Sequence, residues 1–335
     1  MEREILRKIN LDYLDKINMS DNKFGIEIEF AGALFRDVDK KLDELFRYNV
    51  YDAQILEKIK TEKEHYQKWR LVNDGTVQDN REYVSKKGGE INTPIMQNEK
   101  KYWQELKQVC DMLKKREYIV IDERCGVHIH TEMDIFKELQ EYKNLIKFWI
   151  LYEDIIYRFG YGQTCSPRKK LLYYAKPFSA EYNLPPEKIL KEIDKVETNK
   201  DLIKLLRNER KYGLNLVNII NTELIPKKGK TRTIELRIFN GTLNKKIIQN
   251  DVRFNMYLLD YCKTENFDKE FIEYQIKKYE PFYINESLKI KEEKADEFFN
   301  LICKDELDRL KLLKQYYKEY NENDIEKSLH LWYHH

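Results

Sequence analysis

CGVHIHTEM, residues 125–133, decides how this chain is read. Two of its six histidines, His128 and His130, stand two apart after Gly126, interleaved with Val127 and Ile129. A period of two is that of a β-strand with one buried face, and it sends both imidazoles to the same side. The pattern recurs in GIEIEF, residues 25–30, where Glu27 and Glu29 oppose Ile26, Ile28 and Phe30. It recurs again in TIELRIF, residues 233–239, where Glu235 and Arg237 oppose Ile234, Leu236 and Ile238. A fourth acid, Glu90, lies in GGEINTP, residues 88–94. One such pair alone is most often a solvated strand face. Three of them, each backed by Val, Ile or Leu as in strands packed on helices, ask for a chemical reason.

If these faces converge, the carboxylates repel one another by roughly 4 kcal/mol per pair at about 4 Å and an effective dielectric near 20. Either some of them take up protons or they bind cations. Carboxylates with few histidines favour Mg2+ or Mn2+ over zinc.

Composition narrows the alternatives. Lys and Arg number 61 against 59 Asp and Glu, so the chain lacks the basic excess of a general nucleic-acid binder. The charged start, MEREILRKINLDYLDKIN, has no apolar core of a secretory signal. The longest apolar candidate, residues 145–159, is interrupted by Lys147, Glu153 and Asp154 and falls short of the ~18 residues a membrane span needs. The five cysteines are scattered, with no CxxC, which suits reduced thiols and leads us to expect a cytoplasmic protein.

The same reading predicts an α+β fold: a curved, mainly antiparallel sheet with helices on its apolar face. Helices are expected over 1–18, over parts of 37–66 with a break near Asn49, over 98–117, 134–160 and 245–265, and after Pro185-Pro186. Strands are expected at KWRLVND, at GGEINTPI and over 213–221 and 231–239, with LIPKKGKTR as a turn between the last two. The expected organisation is an N-terminal helix over 1–22, a catalytic domain over 23–265 and a helical extension over 266–335. There is no glycine-rich phosphate loop.

Taken in order, these segments resemble the amidoligase family, a branch of the carboxylate–amine ligases that include glutamine synthetase and glutamate–cysteine ligase. GIEIEF resembles the first-strand ExE, and DGT at 74–76 followed by GGEINTP resembles the D-G-[ST] and Glu-containing segment. GVHIH resembles the HxH strand, YGLNLVN the Asn-containing strand and TIELRIFNGTL the late ExR strand. One departure is Asn92-Thr93-Pro94, where a serine often precedes the proline. The resemblance implies a glutamine synthetase-like catalytic domain that uses ATP and Mg2+, or Mn2+. It would join a carboxylate of an amino acid, peptide or protein side chain to an amine. Carried over, Glu27, Glu29, Glu90, His128 and Glu235 would hold metal, with His128 near the γ-phosphate. Arg237 would grip the transferred phosphoryl group, His130 and Arg168 would contact nucleotide or phosphate, and Asp74 and Asn215 would contact substrate. Oligomeric state is left open.

Two other readings compete. A metal-dependent hydrolase would also use HxH with carboxylates, but such sites usually recruit three or more histidines. Outside the C-terminal tail only His65 remains. A binding module that keeps the sheet without turnover is the other. A serine or cysteine nucleophile finds no support, since there is no G-x-S-x-G elbow and no evident Cys/His arrangement.

Overall fold

The computed structural model describes residues 2–46, 50–52, 67–77, 87–115, 119–181, 186–207, 209–222, 232–278 and 284–319. The second half of the 37–66 segment, most of the LIPKKGKTR turn and residues 320–335 lie outside these.

The fold is α+β. Strands β1 (Phe24–Leu34), β2 (Val50–Asp52), β3 (Trp69–Val72), β4 (Lys87–Asn92), β5 (Gly126–Glu132), β6 (Leu214–Asn215) and β7 (Thr233–Asn240) form one open sheet. Its order is β2-β3-β4-β1-β5-β7-β6. All neighbours are antiparallel except β2, which joins the edge parallel to β3.

Alternation decides which face is buried. Ile26, Ile28, Val127, Ile129 and Leu236 are fully buried and belong to one continuous core. Helices cover this face. The helix Lys245–Tyr261 packs on β5, Glu153–Gly160 on β7, and Phe35–Phe46 on β1, β3 and β4. Phe239 of β7 meets Phe254 edge-on at 6.3 Å between ring centroids, and Phe254 stacks on Phe159 at 4.2 Å. The C-terminal helices Glu292–Ile302 and Glu306–Tyr317 enter the same core through Phe298, Phe299, Leu312 and Leu313. The N-terminus packs against the last of them, where Lys314 Nζ donates to the Leu6 carbonyl at 2.9 Å.

Several elements differ from the sequence reading. The N-terminal helix covers only Glu2–Lys8. Beyond it, buried side chains take the backbone N–H groups that a helix would use: Leu14 N donates to Gln249 Oε1 at 2.9 Å and Ile17 N to Asn98 Oδ1 at 3.1 Å. The helix expected over 134–160 is two helices, Leu139–Leu151 and Glu153–Gly160, parted at Tyr152 (φ −119°, ψ 21°). The strand expected over 213–221 is reduced to β6, followed by a 3-10 turn over Val217–Thr222. There Asn215 Oδ1 accepts the Val217 N–H at 3.0 Å, the side-chain turn that lets asparagine end a strand. The last helix of the expected catalytic region stops at Tyr261.

Candidate active site

Register, more than any single residue, assembles the site. One cross-strand row runs Arg70, Asn92, Glu27, His128 across β3, β4, β1 and β5. A second runs Val72, Glu90, Glu29 across β3, β4 and β1. A third runs Gly25, His130, Glu235, Asn215 across β1, β5, β7 and β6. Neighbouring strands lie about 4.8 Å apart, so residues opposite one another bring their functional groups into contact.

The pairing of β5 with β7 is irregular. Ile129 faces Leu236 and Val127 faces Phe239, so three steps of β7 match two of β5. This is a β-bulge at Arg237–Ile238, and such bulges re-aim the side chains beside them. Leu236 and Phe239 therefore both face the core, while Arg237 faces the cleft.

The side chains converge. His128 Nδ1 lies 3.1 Å from Glu27 Oε2, and His130 Nε2 lies 2.9 Å from Glu27 Oε1. His128 Nε2 is 3.6 Å from Glu29 Oε1. Both imidazoles come within 3.8 Å of Glu235 Oε1. Arg237 donates to Glu235 through Nη1 and to the Tyr174 carbonyl through Nε at 3.2 Å. Asn215 Nδ2 donates to Glu235 Oε2 at 2.7 Å. Asp74 accepts the Thr76 N–H at 2.8 Å in the turn beside Glu90. Arg168 is buried behind the bulge, with Nη1 3.5 Å from Glu29 Oε2, and does not line the cleft.

Three groups of potential ligand atoms, each mutually within 4.8 Å, occur on this face: Glu27 with His130 and Glu235; Glu27 with Glu90 and His128; Glu29 with Asp74 and Glu90. They share members, so they form one continuous carboxylate-rich surface. The fit to a hard divalent cation is good in donor chemistry, since oxygen donors dominate. The buried Nε2 atoms of His128 and His130 also lack a hydrogen-bond partner of adequate geometry.

Electrostatics point the same way. Burial pushes the Glu90 carboxyl well above its usual range, and the charges of Glu27, Glu29 and Asp74 push it further. Burial also opposes the charge on Glu27, yet the two histidines outweigh it and hold Glu27 well below the usual carboxylate range. Glu235 is lowered too, where His130 and Arg237 overcome the burial. In turn Glu27 and Glu235 overcome the burial of His130 and raise it to about 9. Crowding thus pushes Glu90 towards its protonated form and His130 towards its cationic form, the two adjustments that divalent cations would replace.

A cleft of about 480 Å³ opens over Glu27, His130, Glu235 and Arg237. It is also lined by Arg70, Asn92, Arg210, Asn218 and Arg232, none of them among the site residues expected from the sequence. Arg70 carried a usable signal, since it alternates with Trp69 and Leu71 just as the histidines alternate with Val127 and Ile129. Arg210 and Arg232 lie just outside strands, where no period points to them.

The chain matches the family described as "Putative amidoligase enzyme" over residues 20–259. That span exceeds half its length, and the chain belongs to this family. Membership supports a ligase-type function. No curated protein and no solved structure matches the chain. Among the described residues no helix is long and apolar enough to cross a membrane.

Proposed function

We propose that the protein joins a carboxylate to an amine at the expense of ATP, through an acyl phosphate, with residues 23–265 as the catalytic domain and 266–335 as a helical extension. The observation that supports this best is the carboxylate-rich surface of Glu27, Glu29, Glu90, His128 and Glu235, bordered by the Arg237 guanidinium at the cleft wall.

A carboxylate is a poor electrophile because its leaving group would be oxide. Attack of its oxygen on the γ-phosphorus of ATP forms a P–O bond and releases ADP. The amine then attacks the acyl carbon and phosphate leaves. Mg2+ held by Glu27, Glu29, Glu90, His128 and Glu235 would neutralise the phosphate oxygens on which charge develops. Arg237 grips the phosphoryl group in transfer. Its planar fork is fixed by Glu235 on one nitrogen and the Tyr174 carbonyl on another, so little reorganisation is needed when charge appears. His130, held by the Thr233 hydroxyl at 3.1 Å and facing Glu27, borders the same phosphates. Asn215 orients Glu235 from behind, and Asp74 closes the Glu90 side. The lining cations Arg70, Arg210 and Arg232 suit anionic groups of the reactants.

The test is ADP formation by the full chain with Mg2+ and ATP across a panel of amino acids, peptides and amines. ADP release that depends on both a carboxylate and an amine supports the reading. Metal-dependent hydrolysis without ATP would overturn it in favour of a hydrolase.

A further inference from the structure

Gly126, the glycine that opens β5, has no conformational reason to be glycine. Among the glycines with positive φ are Gly32, Gly88 and Gly162, and Gly126 is not one of them. Space is the reason. A Cβ added at Gly126 would stand 2.7 Å from both Cζ and Nη1 of Arg168, so the guanidinium, buried and bonded to the Arg237 carbonyl, would have to shift. The strand backbone is therefore the floor of a slot, and a guanidinium fills it.

The slot is built on every side. The Arg168 backbone N–H donates to Asn240 Oδ1 at 3.0 Å. Asn240 is itself buried, and its amide donates to Thr164 Oγ1 at 2.7 Å and to the Ser166 carbonyl at 3.0 Å. Arg168 Nη2 donates to the Arg237 carbonyl at 3.1 Å, a carbonyl at the β-bulge. Nη1 faces Glu29 Oε2, which also accepts the Gly126 N–H. One oxygen of Glu29 is thereby engaged from behind, and the other, Oε1, faces His128.

We infer that Arg168 is a positioning residue for the proposed reaction. Seated on Gly126, it holds the bulge that aims Arg237 and turns a single Glu29 oxygen towards the cation surface. The cluster runs Gly126, Arg168, Glu29, Arg237, and only the last of these lines the cleft. Burying a guanidinium costs hydration that its one carboxylate at 3.5 Å returns only in part, and that cost is accepted where orientation matters. The segment that follows Arg168 completes the device, since its Tyr174 carbonyl holds Arg237 Nε. One short stretch of chain thus fixes Arg237 at both its backbone and its head group.

The inference rests on the ligase reading for its kinetic arm, and a second arm is independent of it. In the first, Arg168→Ala and Gly126→Ala are compared with wild type for MgATP turnover. Both should lose about 10- to 100-fold in kcat while KM for MgATP stays within about threefold, the loss expected of a group that orients others. Ethylguanidinium should restore part of the activity of Arg168→Ala and none of that of Gly126→Ala, whose own Arg168 still crowds the slot. In the second arm, Mn2+ affinity of the full chain without nucleotide is read by electron paramagnetic resonance. Arg168→Ala removes a positive charge, so simple electrostatics would tighten Mn2+ binding. The positioning role predicts weaker binding, recovered by ethylguanidinium. An unchanged kcat, a KM that rises while kcat holds, or tighter Mn2+ binding would each overturn the inference. A wild type that binds Mn2+ as described but turns over no MgATP would sink the ligase reading and leave the Mn2+ result to decide the role of Arg168.

Discussion

Two buried polar clusters in this protein look alike by burial and differ in their accounting of charge. In the C-terminal helices Asp308 is ringed by partners: Arg253 Nε at 3.1 Å, Tyr257 Oη at 2.7 Å and Lys311 Nζ at 3.2 Å. Beside it Gln315 donates to Asp251 at 2.7 Å and accepts from Asn250 at 2.8 Å. Each acid there has a cation or a neutral donor. On the sheet, Glu27, Glu29, Glu90 and Glu235 crowd one another, and a raised Glu90 and His130 absorb the excess. Burial of charge alone does not mark a site. Burial of crowded like charge, accommodated only by shifting the protons of its own members, does, because a fold that gained nothing from the arrangement would not keep it.

Substitutions should separate the clusters. The largest effect is expected at Glu29→Ala, which should lower MgATP turnover on the order of 10³-fold by removing an oxygen donor from the cation surface. Its urea midpoint should fall less than that of Asp308→Ala, since relief of like-charge repulsion offsets the loss of Arg168's carboxylate partner and of the acceptor for the Gly126 N–H. Asp308→Ala should act on folding instead. It leaves Arg253 and Lys311 buried without their shared partner, at a cost of roughly 3 kcal/mol of folding stability. Turnover per folded molecule should hold, as urea unfolding with matched activity assays would show. A stability loss at Glu29 as large as that at Asp308, or a catalytic loss at Asp308, would erase the distinction.

Glu153 offers a sharper control, because it is a lone buried acid held by neutral donors. It accepts from the N–H groups of Phe178 and Ser179 and from the Ser179 hydroxyl. Burial raises its pKa from an ordinary 4.5 to about 7. Below pH 4.5 it is protonated folded or unfolded, and between the two values only the unfolded chain gives up the proton. Stability should therefore fall by roughly 3 kcal/mol as pH rises through this window and then level off, and Glu153→Gln should remove that slope. Unfolding followed from pH 4 to 8 in both proteins checks it, and equal slopes would refute it. The smallest effect is expected at Arg3–Glu292, an ion pair exposed on both sides, where Glu292→Gln should shift stability by less than ~0.5 kcal/mol.

What could be read in advance follows from the range of each signal. His128 with His130 and Glu27 with Glu29 alternate within a few residues of sequence, so their strands and shared faces were legible. The bulge at Arg237 was not, because it exists only relative to β5 and no property of TIELRIF announces it. Nor was the match between Gly126 and Arg168, which stand far apart in sequence and meet through packing. The same limit explains the misread ends. Residues 9–18 have helical spacing, but Gln249 and Asn98 claim their backbone groups from afar. Asn218 and Asn215 look like strand residues until the side chain of Asn215 closes a turn.

The central claim is that the crowded carboxylate surface exists to hold divalent cations together with a nucleotide. Thermal unfolding of the full chain with Mg2+ and a non-hydrolysable ATP analogue, each alone and combined, tests it most directly. A ligand at about 100 times its dissociation constant stabilises by roughly 2.7 kcal/mol, which raises Tm by a few degrees. The account predicts such a rise for the combination in wild type and its loss in Glu29→Ala. A wild type whose Tm is indifferent to Mg2+ and the analogue together would contradict it.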